Sequence, residues 1–321
     1  MRILFMGTSN FAVPSLEKLI TEEFDIVGVV TQPDRPSGRG RKLHASPIKL
    51  RAKKNKLTIF QPEKVREKAT VSQIKHLEPD VIVVIAFGQI LPRSILDIPP
   101  FGCFNVHPSL LPKYRGAAPI QWALINGETE TGITIMLLDE GEDTGDIILQ
   151  QPAIINPETD AIALHQQLGN LAPNLLIQAL RKLKDQRPMT QPQNDSLATY
   201  APQLTKEHGK INWNKSAVEI LNLVRGTAIW PKAYTHLQSN LHVKILSCSI
   251  IPTNNGAKFS PGTIEITRSK QITVHTAQGK LALDQVQPAT KNKMSAHDFV
   301  NGYHIKTGDR FISSSQKNND L

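Results

Sequence analysis

Pro79-Asp80-Val-Ile-Val-Val-Ile-Ala86 is the stretch that most narrows what this chain can fold into. It has five β-branched residues in succession and no polar alternation, which describes a strand covered on both faces. Such a strand belongs in the middle of a sheet flanked by helices. The first thirty residues agree. Residues 2–6 read as a strand, and Pro14 opens a helix striped by Leu16, Leu19 and Ile20. Residues 25–31 read as a second strand, so together they form a right-handed βαβ unit on a parallel sheet. A glycine follows the first strand, but the G-x-G-x-x-G spacing is absent, which argues against a dinucleotide site.

At 321 residues the chain is long for one core, and two domains are expected. Residues 1–186 read as an α/β domain. Within it, helices are expected over 46–55, 63–76, 117–126 and 158–184, the last kinked at Pro173, with strands over 57–60, 131–138 and 147–155. Residues 187–205 carry Pro188, Pro192 and Pro202 without periodicity and read as a linker on the surface. Over 206–313 the pattern changes to a helix near 216–226, then short strands over 233–238, 242–249, 262–267, 271–275 and 280–285. That spacing predicts a small closed barrel, of which the oligonucleotide-binding (OB-like) type is one example. Residues 314–321 read as a frayed tail.

Composition sets the class. Hydrophobic residues at 40% and charged residues at 20% describe an ordinary globular chain. Two cysteines, Cys103 and Cys248, are too few for a disulfide framework or a zinc cluster, so a reducing cytoplasm and no metal are expected. No window approaches a membrane span, and the opening apolar run is too short for a signal peptide. The net charge of +9 is unevenly spread: residues 31–56 hold nine basic residues against one acidic, and 206–321 hold fifteen against seven. Two basic segments far apart in sequence suit a long polyanion better than a small acidic metabolite. In the first of them, residues 32–44 are rich in Pro, Gly and Arg and predict an exposed, flexible basic arm.

The chemistry concentrates in two places. Residues 101–106 form an apolar run that delivers Asn105 and His107 at spacing i, i+2, hence on one face of a strand. Pro108 and Pro112 then force an open loop. A buried strand with a satisfied core histidine is the plainer reading, and a site is the other. The strand over 131–138 runs into Asp139-Glu-Gly-Glu-Asp143-Thr-Gly-Asp146, five carboxylates in eight residues. Such crowding is costly unless water solvates the charges or something uses them; a carboxylate beside His107 would orient the imidazole. At the end of the central strand, Phe87-Gly88-Gln89-Ile90-Leu91 offers apolar walls and a glycine where α/β sheets take their ligands, although an ordinary strand-to-helix turn would look the same. Ser109 lacks a G-x-S-x-G elbow, which argues against a hydrolase.

Asn105-Val-His107-Pro-Ser109-Leu-Leu-Pro112 followed by Asp143-Thr-Gly-Asp146 resembles the formyltetrahydrofolate-dependent formyltransferases. Phe5-Met-Gly-Thr, Val30-Thr-Gln-Pro-Asp-Arg35, Phe87-Gly-Gln-Ile-Leu-Pro92, Tyr114-Arg-Gly-Ala-Ala-Pro-Ile-Gln121, Gly209-Lys-Ile-Asn-Trp213, Arg225 and Trp230-Pro231 extend the likeness over nearly the whole chain. The resemblance implies a Rossmann-like domain over 1–186 that holds 10-formyltetrahydrofolate and an OB-like barrel over 206–313 that helps hold tRNA. It implies formyl transfer from the folate to the α-amine of methionine on initiator tRNA, with catalytic roles for Asn105, His107 and Asp143. It implies that Ser109, Leu110, Leu111 and Pro112 are the folate-binding motif, with Phe87 to Leu91 lining the same pocket. It implies that the basic loop, with Arg35, Arg39, Arg41 and Lys42, meets the tRNA acceptor stem. No protein partner is called for, and a monomer is expected. A relative acting on an aminosugar nucleotide would share the same three residues, so the site alone does not choose the acceptor; the basic segments favour tRNA. Rival readings are a nicotinamide-dependent oxidoreductase, opposed by the missing glycine fingerprint, and a non-catalytic RNA-binding protein, which leaves Asn105, His107 and Asp143 unexplained.

Overall fold

The structure is a computed structural model and describes residues 1–37, 42–183, 188–252, 259–267 and 271–312. Two compact units emerge: residues 1–119, 130–155 and 164–202 form the first, and 120–129, 156–163 and 203–321 the second.

The first unit is built on β1 (Arg2–Gly7), α1 (Val13–Thr21), β2 (Asp25–Val30), a ribbon of β3 (Arg35–Ser37) and β4 (Lys42–His44), α2 (Pro47–Lys54), β5 (Ile59–Phe60), α3 (Lys68–His76), β6 (Val81–Ile85), α4 (Arg93–Leu96) and β7 (Cys103–His107). After α5 (Pro119–Ile125), which from Ile120 on is counted with the second unit, come β8 (Glu130–Leu137), β9 (Ile147–Ile154) and α6 (Ala161–Arg181), which carries Pro173 inside it. The sheet order is β5-β2-β1-β6-β7-β8-β9. All five residues of β6 are buried, as its unbroken apolar run requires. Ile3, Leu4 and Phe5 of the adjacent β1 are wholly buried too.

Two expectations need correction and one is extended: β1 pairs parallel with β2 and β6 as expected of the βαβ unit, and β8 adds an antiparallel edge by pairing with both β7 and β9. The loop 138–146 between β8 and β9 is too short for the crossover that parallel strands need. The helix expected over 63–76 begins only at Lys68, since residues 62–67 form bends and turns. The segment expected as an irregular arm folds as an antiparallel ribbon, Arg35 opposite His44 and Ser37 opposite Lys42. Residues 38–41 of that arm and the tail 314–321 lie outside the described residues.

The second unit holds α7 (Ala217–Gly226), β10 (Ala233–Leu237), β11 (His242–Ile251), β12 (Ile264–Ile266), β13 (Ile272–His275), β14 (Lys280–Pro288), β15 (Met294–Ser295), α8 (Ala296–Tyr303) and β16 (Phe311–Ile312). Ser216 caps α7 in a capping box with Glu219. The strands run β12-β13-β14-β11-β10-β16. A bridge between Thr263 and Arg310, with the Phe311 N–H on the Gly262 carbonyl at 2.8 Å, joins the two outer strands into a nearly closed barrel. Its interior is filled by Val243, Ile245, Ile272, Val274, Leu281 and Phe299, all at most 2% exposed. The strands expected here are present; α8 is an addition, started by Ser295 accepting from the Asp298 N–H at 3.0 Å.

Candidate active site

Strand β7 alternates as its pleat dictates, so Asn105 and His107 share a face. Its antiparallel neighbour β8 leaves the sheet beside Cys103, where the Leu138 N–H meets the Cys103 carbonyl at 2.8 Å. The acidic loop then folds back on itself, with the Leu137 N–H on the Asp146 carbonyl at 2.9 Å. That fold brings Asp143 against β7. Asn105 Nδ2 donates to Asp143 Oδ1 at 3.3 Å, and His107 Nδ1 lies 3.4 Å from Asp143 Oδ2. The Gly116 N–H also donates to Asp143 Oδ2, at 2.9 Å. Asp143 itself is held at φ 55°, a left-handed conformation that non-glycine residues enter seldom and Asp more readily than most.

The carboxylates of the loop divide their work. Asp139 accepts from the Thr144 hydroxyl at 2.7 Å and from the Gly141 N–H at 3.0 Å, which closes the turn on itself. Asp146 accepts from Thr190 at 2.8 Å. Asp143 alone turns onto β7, and its side chain is 14% exposed. The His107 side chain, at 4% exposure, has its other nitrogen fixed as well: Nε2 lies 2.9 Å from the Tyr114 carbonyl oxygen, which can only accept. Nε2 therefore carries a proton, and the ring meets Asp143 through Nδ1. The second N–H of Asn105 meets no acceptor among the described residues, which leaves a donor for an incoming oxygen. Burial pushes the neighbouring Cys103 thiol up to about 12, so β7 brings no reactive thiolate.

The other expected site residues divide into those that build the site and those that face outward. Ser109 is fully buried and its hydroxyl donates to the Lys113 carbonyl at 2.6 Å. Leu111 is 3% exposed, and its backbone is held by Thr134 Oγ1 at 3.2 Å and Gln150 Nε2 at 2.8 Å. Leu110 and Pro112 are half-buried. At the end of β6, Phe87 and Leu91 belong to the core, and Gln89 is spent on the Val65 N–H at 2.7 Å. Gly88 and Ile90 are the exposed members, Ile90 at 89%. Arg35 pairs with Glu63 at 2.6 Å; Lys42 opens β4, and Arg39 and Arg41 lie outside the described residues.

Sequence reasoning passed over Arg115 and Gln193. Arg115, 2% exposed, donates through Nε and Nη2 to Gln193 Oε1 at 3.0 and 2.8 Å, and through Nη2 to Asp195 at 2.7 Å. Gln193 stands in an aperiodic polar segment, where nothing local marks it. Among the described residues no three His, Cys, Asp or Glu side chains gather as a metal site, and no helix is long and apolar enough to cross a membrane.

Comparison with known proteins adds the rest. Residues 1–180 match the formyl transferase family and residues 203–304 the formyl transferase C-terminal domain. A methionyl-tRNA formyltransferase of Trichlorobacter lovleyi is 47% identical over 307 residues, covering 96% of each chain. One of Syntrophus aciditrophicus is 45% identical over 306 residues, covering 95% of this chain and 97% of the relative. Among solved structures, the sugar 3N-formyl transferase WlaRD, with dTDP and 5-N-formyl-THF present, superposes with a TM-score of 0.65 at 21% identity, covering 91% of this chain and 99% of that one. HypX from Aquifex aeolicus in complex with tetrahydrofolic acid gives 0.61 at 16%, covering 96% and 48%. Both solved structures share the fold at low identity, whereas the relatives match along nearly their whole length, and on that ground the chain is a transferase that belongs to the methionyl-tRNA formyltransferase family.

Proposed function

We propose that this chain transfers the formyl group of 10-formyltetrahydrofolate to the α-amine of methionine on initiator tRNA, as a cytoplasmic step of translation initiation. The single observation that carries the reading is the convergence of Asn105 and His107 on Asp143 at 3.3 and 3.4 Å. One copy of the chain supplies all three side chains, so a monomer suffices.

An amine adding to an N-formyl carbon turns the carbonyl oxygen into an oxyanion, which needs donors already in place. The unpaired N–H of Asn105 supplies one. The Asp143 carboxylate accepts the proton that the attacking amine sheds and passes it to His107 Nδ1, 3.4 Å away, which delivers it to the departing folate nitrogen as its carbon–nitrogen bond breaks. Nε2 is committed to Tyr114, so Nδ1 is the only ring position free for that exchange. No covalent bond to the protein forms at any stage.

The end of β6 suits the donor's flat ring. Gly88 has φ +85°, and a Cβ there would meet only Gln32 Nε2, at 3.8 Å, so the backbone face is open. Exposed Ile90 in the same turn, and half-buried Leu110 and Pro112 in the loop after the neighbouring strand β7, offer apolar edges. Arg35, Arg39, Arg41 and Lys42 are the proposed contacts to the acceptor stem.

The test is an acceptor panel with radiolabelled formyl donor: methionyl-tRNA, uncharged tRNA, glycinamide ribonucleotide and a nucleotide-linked aminosugar. Label on methionyl-tRNA alone is expected; label on the aminosugar would transfer the reading to the sugar-modifying branch. Asn105→Ala, His107→Ala and Asp143→Ala are each expected to lower kcat by about a hundredfold or more while tRNA affinity stays within a few-fold. Near-normal turnover in any of the three contradicts its role.

A further inference from the structure

The segment 188–202, read from sequence as a linker, is a strap across the catalytic loops. The Gln191 N–H and carbonyl pair with Ile147 at 2.8 and 2.9 Å. The Arg115 N–H donates to the Thr199 carbonyl at 2.9 Å, and the Ala201 N–H donates back to the Arg115 carbonyl at 2.7 Å. At the centre of this strap stands Gln193. Its amide nitrogen donates to the Asp143 carbonyl at 2.8 Å and to the Gly145 carbonyl at 2.7 Å. Its amide oxygen accepts twice from the buried Arg115 guanidinium. All four hydrogen-bonding positions of the side chain are thus filled, and the reverse orientation of the amide would set NH2 against guanidinium.

We infer that Gln193 is a positioning residue for the formyl-transfer reaction: it clamps the Asp143 backbone in its left-handed conformation so that the carboxylate faces Asn105 and His107. This rests on the catalytic reading of Asp143 given above. Asp143 is pinned from two directions, its carboxylate by the Gly116 N–H and its carbonyl by Gln193. Gly116 directly follows Arg115 in the chain, and Arg115 is bonded to Gln193. One guanidinium therefore braces both pins. Without the clamp, a backbone held at φ 55° has every reason to relax toward commoner conformations. A misplacement of about 1 Å at such a group can cost on the order of a hundredfold in rate.

Gln193→Glu separates positioning from support. A glutamate keeps both acceptor bonds to Arg115, now as an ion pair, but removes both N–H donors and places a negative charge beside the Asp143 carbonyl. In steady-state assays on the full chain, kcat is expected to fall about a hundredfold with KM for methionyl-tRNA within about twofold. The acid limb of the kcat–pH profile should move to higher pH, because the added charge makes proton uptake by the Asp143 carboxylate easier. The melting temperature should stay at or above that of the parent. Gln193→Ala is the second variant, with the same kcat loss and no added charge. Normal kcat and an unmoved acid limb in Gln193→Glu, with Asp143→Asn inactive, would overturn the inference and leave the catalytic reading standing. Full activity in Asp143→Asn would overturn both.

Discussion

A Cβ on Gly145 would stand 2.0 Å from the Leu137 carbonyl oxygen, closer than any side chain can come. The glycine of the Asp143-Thr-Gly-Asp146 run is there because the acidic loop must lie back on the end of β8 to aim Asp143 at β7. Gly145→Ala is therefore expected to shift the main chain two residues from the carboxylate and lower kcat about a hundredfold, read by single-turnover kinetics beside a melting curve. Unchanged turnover would show that the loop has slack. The residues proposed to do chemistry could be picked out because they carry local signals: an amide and an imidazole two apart on an apolar strand, and a density of carboxylates that needs a reason. Gln193 had no such signal, since its partners are 50 residues away at Asp143 and 78 away at Arg115. The Tyr114 carbonyl that commits His107 Nε2 was equally hidden, because any residue type supplies a carbonyl.

Elements show the same division. Strand β6 could be placed from its composition alone, whereas the antiparallel direction of β8 and β9 depends on how short the acidic loop is. Helix α8 starts at Ser295, whose side chain accepts from the Asp298 N–H, and the sequence reading placed no element there. In the barrel, His275 of β13 is enclosed, its side chain 1% exposed, with Nε2 on Glu265 at 3.1 Å and Nδ1 buried without a partner among the described residues. Lys280 of β14 binds the same Glu265 oxygen at 2.7 Å. Burial holds the His275 imidazole below its usual value of 6.5, with Lys280 acting in the same direction and Glu265 against it. The folded state thus binds fewer protons than the unfolded one. Its contribution to stability is whole above the unfolded value and is lost as pH falls below it. A His275→Gln variant should show a shallower fall in stability than the parent between about pH 7 and pH 5, by at most about 1.4 kcal/mol per pH unit. Denaturant titrations across that range check it, and parallel curves would exclude His275 as the source.

At the scale of the whole molecule, basic residues are concentrated over 31–56 and 206–321, and the remainder is acidic. Such an arrangement is legible in sequence because charge needs no tertiary structure to be counted, though its use does. In the first segment Lys49 is already spent on Asp34 at 2.7 Å and Arg35 on Glu63. Of the four residues proposed to meet phosphate, Arg39, Arg41 and Lys42 are the ones left for the test. Reversing all three should weaken tRNA binding and lower the slope of log affinity against log salt by about 0.7–0.9 for each phosphate no longer neutralised. An unaltered slope would count against the arm. The division into units was less legible: a proline-rich, polar stretch has the composition of a tether, yet residues up to Pro202 belong to the first unit.

That membership bears on how small a working piece of this chain can be. A catalytic fragment ended at residue 186, where composition invites the cut, would keep Asn105, His107 and Asp143 but lose the amide that grips the loop between them. The shortest piece that keeps the proposed clamp runs through Pro202, and a single protease nick in the strap is expected to lower the proposed formyl transfer without touching any atom that reacts.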